Sequence, residues 1–188
     1  MDDMAHTQAR RAGMYMDHLG FENLGVMLVG AKTHPMAVVR AVLGLAGVTR
    51  ITQVEQPGRA LEVLKTEYFT AVFCEQACMI EGMPFAVAAR RKPSMLNPAV
   101  AIFVVKERAR QRDVEKARDL GATDVLTMPV SPRTVIDKLS AAVHAPRPFI
   151  VAPDFCGPDR RSQSRKTFAG TERRARVPRK MQVDFTLG

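Results

Sequence analysis

Near the C-terminus one short unit occurs twice: Phe155-Cys-Gly-Pro-Asp-Arg-Arg161 returns as Phe168-Ala-Gly-Thr-Glu-Arg-Arg174. Both copies read F-x-G-x-acid-Arg-Arg, and composition bias alone would not align an aromatic, a glycine, an acid and two arginines in register. Such a unit is expected to be a glycine turn that presents a carboxylate beside two guanidiniums, with a phenylalanine to anchor or stack. Arginine forks hold phosphate oxygens bidentately and reach guanine O6 and N7. A carboxylate accepts from the N–H groups on the opposite edge of guanine. Asp159, Arg160, Arg161, Glu172, Arg173 and Arg174, with Arg165 nearby, therefore suit a phosphorylated guanine nucleotide such as cyclic di-GMP. Two other readings stand beside this one. The acids pair with their own arginines while Phe155 and Phe168 dock the tail on a domain or partner, as Phe149-Ile150-Val151 also suggests. Or the arginines bind nucleic acid without specificity, against which the acid inside each copy counts.

Other chemistry is sparse. His6, His18, His34 and His144 are scattered, and no nucleophile–base pair is visible, so an enzyme is not expected. Cys74, Cys78 and Cys156 form no C-x-x-C pair, and no histidine falls at ligand spacing from the first two. Free thiols in a reducing compartment and no metal are the expectation. No apolar run approaches the roughly 20 residues of a membrane span, and the acidic start, MDDMAHTQARRAG, lacks the core of a signal peptide. A cytoplasmic location follows as an expectation, and no cofactor is implied. The net charge of +9 is uneven, with Arg147, Arg160, Arg161, Arg165, Lys166, Arg173, Arg174, Arg176, Arg179 and Lys180 all after residue 145. A basic excess at one end points to an anionic partner: nucleotide, nucleic acid, lipid surface or acidic protein.

The 188 residues allow one well-filled domain plus a tail. Val26–Val29 is a short, wholly apolar run. Thr33 and Pro35 then start a helix whose Val38, Val39, Val42 and Ala46 recur at helical spacing up to Gly47. Ile51–Val54 alternates as a half-exposed edge strand does. A helix follows Pro57 with Ala60, Leu61 and Leu64 on one face, and Ala71–Cys74 is again apolar throughout. Residues 83–91 read as a helix, and 100–105 as the strongest strand. A polar helix carrying Val114, Ala117 and Leu120 stops at Gly121, Val125-Leu126 makes a short strand, and a last helix from Ser131 aligns Val135, Ile136, Leu139 and Val143. Continuous apolar strands alternating with amphipathic helices imply a parallel sheet covered on both faces. The working site of such a sheet lies beyond the carboxyl ends of its strands, at Gly30-Ala31, Glu75, Lys106 and Met128.

Residues 25–143 resemble the response-regulator receiver domain. The third strand, Phe69-Thr-Ala-Val-Phe-Cys-Glu75, falls at the family's phosphoacceptor strand, and Arg118-Asp-Leu-Gly-Ala-Thr-Asp-Val-Leu-Thr-Met-Pro129 is similar to its "GAxDYLxKP" segment. The resemblance implies a flavodoxin-like (βα)5 fold with a parallel five-stranded sheet in the order 2-1-3-4-5. It divides the chain into an N-terminal extension (1–24), a receiver-like domain (25–144) and an arginine-rich tail (145–188). The extension is expected to hold a short helix through Gln8–His18, with Met14, Met16 and Leu19 packing on the domain or on a second copy.

The family's chemistry uses two acids after strand 1 for Mg²⁺, an Asp ending strand 3, a Thr or Ser ending strand 4 and a Lys before the Pro after strand 5. By the resemblance these positions are Gly30, Ala31, Glu75, Lys106 and Met128. Without a metal and positioned charge, self-phosphorylation is not expected. Lys106 and Glu75 are expected to pair in roughly the place of the metal, with Met128 filling apolar space; neutral drift, with both charges solvated, is the alternative. The resemblance further implies a phosphorylation-independent signalling protein that binds a partner through helix 4, strand 5 and helix 5. Val125 stands where the family often has a switching aromatic. Arg161 and Arg165 have the R-x-x-x-R spacing of PilZ-type binders, and the tail is similar to those of CheY-like cyclic di-GMP binders that act on the flagellar motor.

Overall fold

The computed structural model describes residues 20–91, 95–152 and 155–159, and the backbone of 179–181. The alternation read in the sequence is realised as β1 (Gly25–Val29), α1 (His34–Leu45), β2 (Arg50–Val54), α2 (Pro57–Thr66), β3 (Ala71–Glu75), α3 (Phe85–Arg91), β4 (Ala101–Lys106), α4 (Gln111–Asp119), β5 (Asp124–Thr127) and α5 (Pro132–His144). The five strands are parallel and ordered β2-β1-β3-β4-β5. β1 and β3 lie inside the sheet, which is why their side chains are buried on both faces, whereas β2 at an edge is exposed or half-exposed throughout.

The period of two sorts the strand side chains between two cores. Leu28, Ala71, Phe73, Ala101, Phe103 and Val105 face α1 and α5, and Phe73 stacks on Phe103 at 4.8 Å. Met27, Val29, Val72, Cys74, Ile102 and Val104 face α2, α3 and the half-buried Ala117 of α4. Each fully buried Leu, Ile, Val, Met or Phe contributes roughly 1.5–3 kcal/mol. α4 stands apart from the other helices, because none of its residues is fully buried.

Two local expectations differ from the structure. The helix read over 83–91 begins only at Phe85, because Met83–Pro84 pair with Met79–Ile80 as a two-residue hairpin, turning through Glu81 (φ +50°) and Gly82 (φ +76°). The glycine turn expected in Phe155–Arg161 is absent: Phe155–Pro158 is a strand, β7, paired antiparallel with β6 (Phe149–Ala152). β8 (Arg179–Met181) pairs antiparallel on the other side of β6.

Residues on both sides of the 25–144 segment join its core. Phe21 is 1% exposed and stacks on the His144 ring at the end of α5, while Phe149 is buried beneath α3. The N-terminal residues expected to form a helix, including Met14, Met16 and Leu19, lie outside the described residues.

Candidate functional site

The carboxyl ends of β1, β3 and β4 bring Gly30, Glu75 and Lys106 to one rim of the sheet. Gly30 has φ +117°, its N–H donates to the Val54 carbonyl (3.0 Å), and its carbonyl accepts from Gln53 Nε2 (3.0 Å). A Cβ at this position would lie 3.0 Å from Cys78 Sγ and 3.2 Å from Glu75 Oε2. Glu75 and Cys78 thus already fill the space into which a side chain at residue 30 would project. The Cys78 thiol donates to the Val29 carbonyl (3.4 Å), and burial pushes its pKa up, as it does for Cys74.

Glu75 Oε1 accepts from Thr33 Oγ1 at 2.5 Å. Thr33 is the N-cap of α1, and its hydroxyl makes no capping bond to the helix. The hydroxyl is spent on Glu75 instead, forgoing about 1 kcal/mol of helix capping.

The expected pair between Glu75 and Lys106 does not form. β3 and β4 pair Glu75 with Val105, so Lys106 is one residue further along and its side chain leaves on the opposite face. Glu75 shares the face of Phe73 and meets α1; Lys106 shares the face of Ile102 and Val104 and meets α4. There Lys106 Nζ lies 3.2 Å from Asp113 Oδ1. Asp113 Oδ2 also accepts from the Arg110 N–H (2.8 Å), closing the first turn of α4. That amide bond, with Lys106 behind it, holds the Asp113 carboxyl below the usual range.

A cavity of about 460 Å³ opens between these groups, lined by Pro35, Glu75, Gln76, Met79, Val105, Lys106 and Glu107 among others. Met128, expected to fill space here, is half-buried and does not line it, although its N–H donates to the Lys106 carbonyl (2.9 Å). Ala31 is exposed. The donor set does not fit Mg²⁺: residues 30 and 31 bring no side-chain oxygen, Glu75 is engaged by Thr33, and Lys106 adds a cation to the lining. No group of three or more His, Cys, Asp or Glu side chains converges among the described residues.

Sequence reasoning did not single out a second cluster. Asp124, at the start of β5, accepts from Lys138 of α5 and from Arg118 of α4 (3.0 Å). Burial pushes the Asp124 carboxyl up, but Lys138, the Val125 N–H and Arg118 outweigh it and hold the group below its usual value. Arg118 Nε is buried with no acceptor in reach. Three charges from three elements give no local sequence signal.

Arg90 of α3 was missed too. Its guanidinium, 8% exposed as a residue, donates to the carbonyls of Gly121 (3.2 Å), Pro98 (3.0 Å) and Val100 (2.7 Å), and its Cζ lies 4.8 Å from the Phe149 ring centroid. Burial lowers its pKa to about 10. Of the tail residues nominated as a ligand site, Asp159 follows β7, its N–H donating to the Pro148 carbonyl (2.7 Å). Arg160, Arg161, Arg165, Glu172, Arg173 and Arg174 lie outside the described residues.

Neither a protein-family model nor a curated relative matches the chain. Solved structures do match. A response regulator from Desulfuromonas acetoxidans superposes with a TM-score of 0.56 at 18% identity, over 63% of this chain and 95% of that one. The chemotaxis response regulator CheY4 of Vibrio cholerae gives 0.53 at 17% identity, over 64% and 100%. The receiver domain of the sensor histidine kinase PA1611 from Pseudomonas aeruginosa, which holds a magnesium ion in its active-site cleft, gives 0.52 at 20% identity, over 62% and 93%. The α/β sheet described above therefore has the CheY-like receiver fold. No helix among the described residues is long and apolar enough to cross a membrane.

Proposed function

We propose that this chain is a receiver-fold signalling module that works by binding a protein partner and accepts no phosphoryl group. The observation that carries the reading is the state of Glu75. Its carboxylate is turned toward α1 and bonded to Thr33, beside a Gly30 and an Ala31 that offer a metal no side-chain oxygen. Phosphoryl transfer rests on a metal and positioned charge, and Lys106, the remaining cation of the cavity, is drawn to Asp113 on the other face. A protein partner is supported by a relative in fold: the receiver domain of Ssk1 from Saccharomyces cerevisiae was solved bound to the histidine phosphotransfer protein Ypd1. The face of α4, β5 and α5 is the surface we assign to the partner. Val125 in β5 is a buried aliphatic there, with no ring to swing. The test is incubation with acetyl phosphate and Mg²⁺ followed by intact mass. The expected product is unmodified protein. A hydroxylamine-sensitive adduct that disappears in Glu75→Ala overturns the reading.

A second reading is favoured by the topology of the tail. β7 and β8 pair with the same strand, β6, so the chain between them starts and ends on one small sheet. That stretch carries Arg160, Arg161, Arg165, Lys166, Arg173, Arg174 and Arg176. So much positive charge in one stretch of sequence favours an anionic ligand, with cyclic di-GMP suited to the arginines and acids of the repeat. Calorimetric titration at near-physiological salt tests it, with Arg173→Ala/Arg174→Ala as the variant. Saturable binding that the variant loses supports the reading, and absence of heat removes it.

A further inference from the structure

We propose that the β6–β7 hairpin is a latch on α4: its docking against α3 and the turn at Gly121 sets where α4 and the start of β5 sit. Undocking the hairpin would then remodel the face built from α4, β5 and α5. The inference does not depend on whether the strand-end cavity accepts a phosphoryl group.

Three observations converge on it. The first is a contact between two backbones with no side chain on either side. A Cβ on Gly157 of β7 would lie 2.8 Å from Gly121 Cα, and a Cβ on Gly121 would lie 2.6 Å from the Cys156 carbonyl oxygen. Gly121 also has φ +91°, so the turn that ends α4 is shaped for this approach. Backbone atoms at such distances cannot yield as a flexible side chain does. Movement of the hairpin is therefore passed to the turn.

The second is Arg90, whose guanidinium ties the same turn to the entry of β4. It donates to Gly121, Pro98 and Val100 while the Phe149 ring of the hairpin covers it. Its partners are carbonyl dipoles, not a carboxylate, among the described residues. A buried cation held in this way depends on the cover that keeps water out. With Phe149 gone, water competes for the guanidinium and the bond to Gly121 loses its advantage.

The third is the looseness of α4 itself. It has no fully buried residue and is fixed by its ends: Asp113 to Lys106 at the first turn, Arg118 to Asp124 and the Gly121 turn at the last. An element with little core of its own takes the position its anchors give it. The hairpin holds one of those anchors.

Hydrogen exchange of the full chain read by mass spectrometry tests the latch, comparing wild type with Gly157→Ala, which removes nothing and inserts one methyl into the contact. The expected result is faster exchange, by about tenfold or more, both in residues 149–152 and in 111–122, with β1 and α1 unchanged. Faster exchange of the hairpin with α4 unchanged overturns the proposal, because docking and α4 are then independent. Unchanged hairpin exchange overturns it equally, since the two backbones then have slack. If Gly157→Ala does not fold, Phe149→Leu is read by the same criteria; it keeps an apolar side chain and removes only the ring over Arg90.

Discussion

Replacing Arg90 by Met keeps a long apolar stem in the α3 site and removes every donor. The carbonyls of Gly121 and Val100 lose a donor in a buried setting, while that of Pro98 is part-buried and can take water. Each buried acceptor stripped of its partner costs about 1–3 kcal/mol. The lost stacking of the guanidinium on Phe149, at 4.8 Å, adds about 1–2 kcal/mol. Relief comes from no longer burying a charge, which favours Met. The balance is a loss of about 3–4 kcal/mol, a large part of the stability of a domain this size. In urea, with a slope of roughly 2 kcal/mol per molar, the midpoint should fall by about 1.5–2 M at constant slope. Arg90→Lys gathers its three N–H donors on one nitrogen, which cannot span carbonyls now served by Nε, Nη1 and Nη2, and should recover less than half of this. A midpoint shift below about 0.5 M for Arg90→Met would refute the reasoning, because the guanidinium would then not be what satisfies those carbonyls.

Asp124→Asn should cost about 2 kcal/mol at neutral pH, leaving Arg118 and Lys138 facing a neutral amide. The pH dependence has a defined sign. Between the lowered folded value and the ordinary carboxylate value near ~4, the unfolded chain holds a proton that the folded chain does not. Wild-type stability is therefore full above that ordinary value and fades as pH falls through the folded one; denaturation from pH 7 to 3 should show a shallower acid limb in the variant. Lys106→Ala should shift amide resonances of Arg110–Val114, where Asp113 sits, and leave those of Thr33 and Glu75 in place. Larger shifts at Thr33 and Glu75 would mean that both charges belong to one network. Gly44→Ala in α1, where a Cβ meets nothing within 4 Å, should raise stability by about 0.5–1 kcal/mol. The same change at Gly121 should lower it, and thermal unfolding of the two variants reads the contrast.

What the sequence made legible follows from period and punctuation. Val100–Val105 reads as a buried strand and Thr33 with Pro35 opens a helix, so the alternation was within reach before any coordinates, while the strand order came from the resemblance to receivers. β7 was hidden because Gly157-Pro158 carries the composition of a turn. Yet Pro158 ends the strand, and Gly157 is there for the approach of Gly121 rather than for a bend. Arg90 was invisible for a different reason. An arginine at the end of a helix reads as solvated, and its three acceptors come from segments that neighbour it only in space. The pairing of Glu75 with Lys106 failed on a single residue of register, which moves a side chain to the other face of the sheet.

That register changes how the strand-end site is understood. In the sequence, Gly30, Ala31, Glu75, Lys106 and Met128 are residues at the ends of four different strands. In space Glu75 and Lys106 leave on opposite faces of the sheet. At the end of β1, Gly30 lacks a Cβ where Glu75 Oε2 and Cys78 Sγ stand, and on the α1 side Thr33 bonds the same carboxylate in place of capping its helix. Each of these residues is accommodated by the others: an acid at 30 would meet Glu75 and Cys78 in a backbone conformation that favours glycine. On the α4 side, Lys106 has become the partner of Asp113 and so an anchor of the helix that buries least. Among the described residues Glu75 and Lys106 share no partner. Glu75 is bonded to the start of α1 and Lys106 to the first turn of α4, so a substitution at either position is met first by the contacts of its own face.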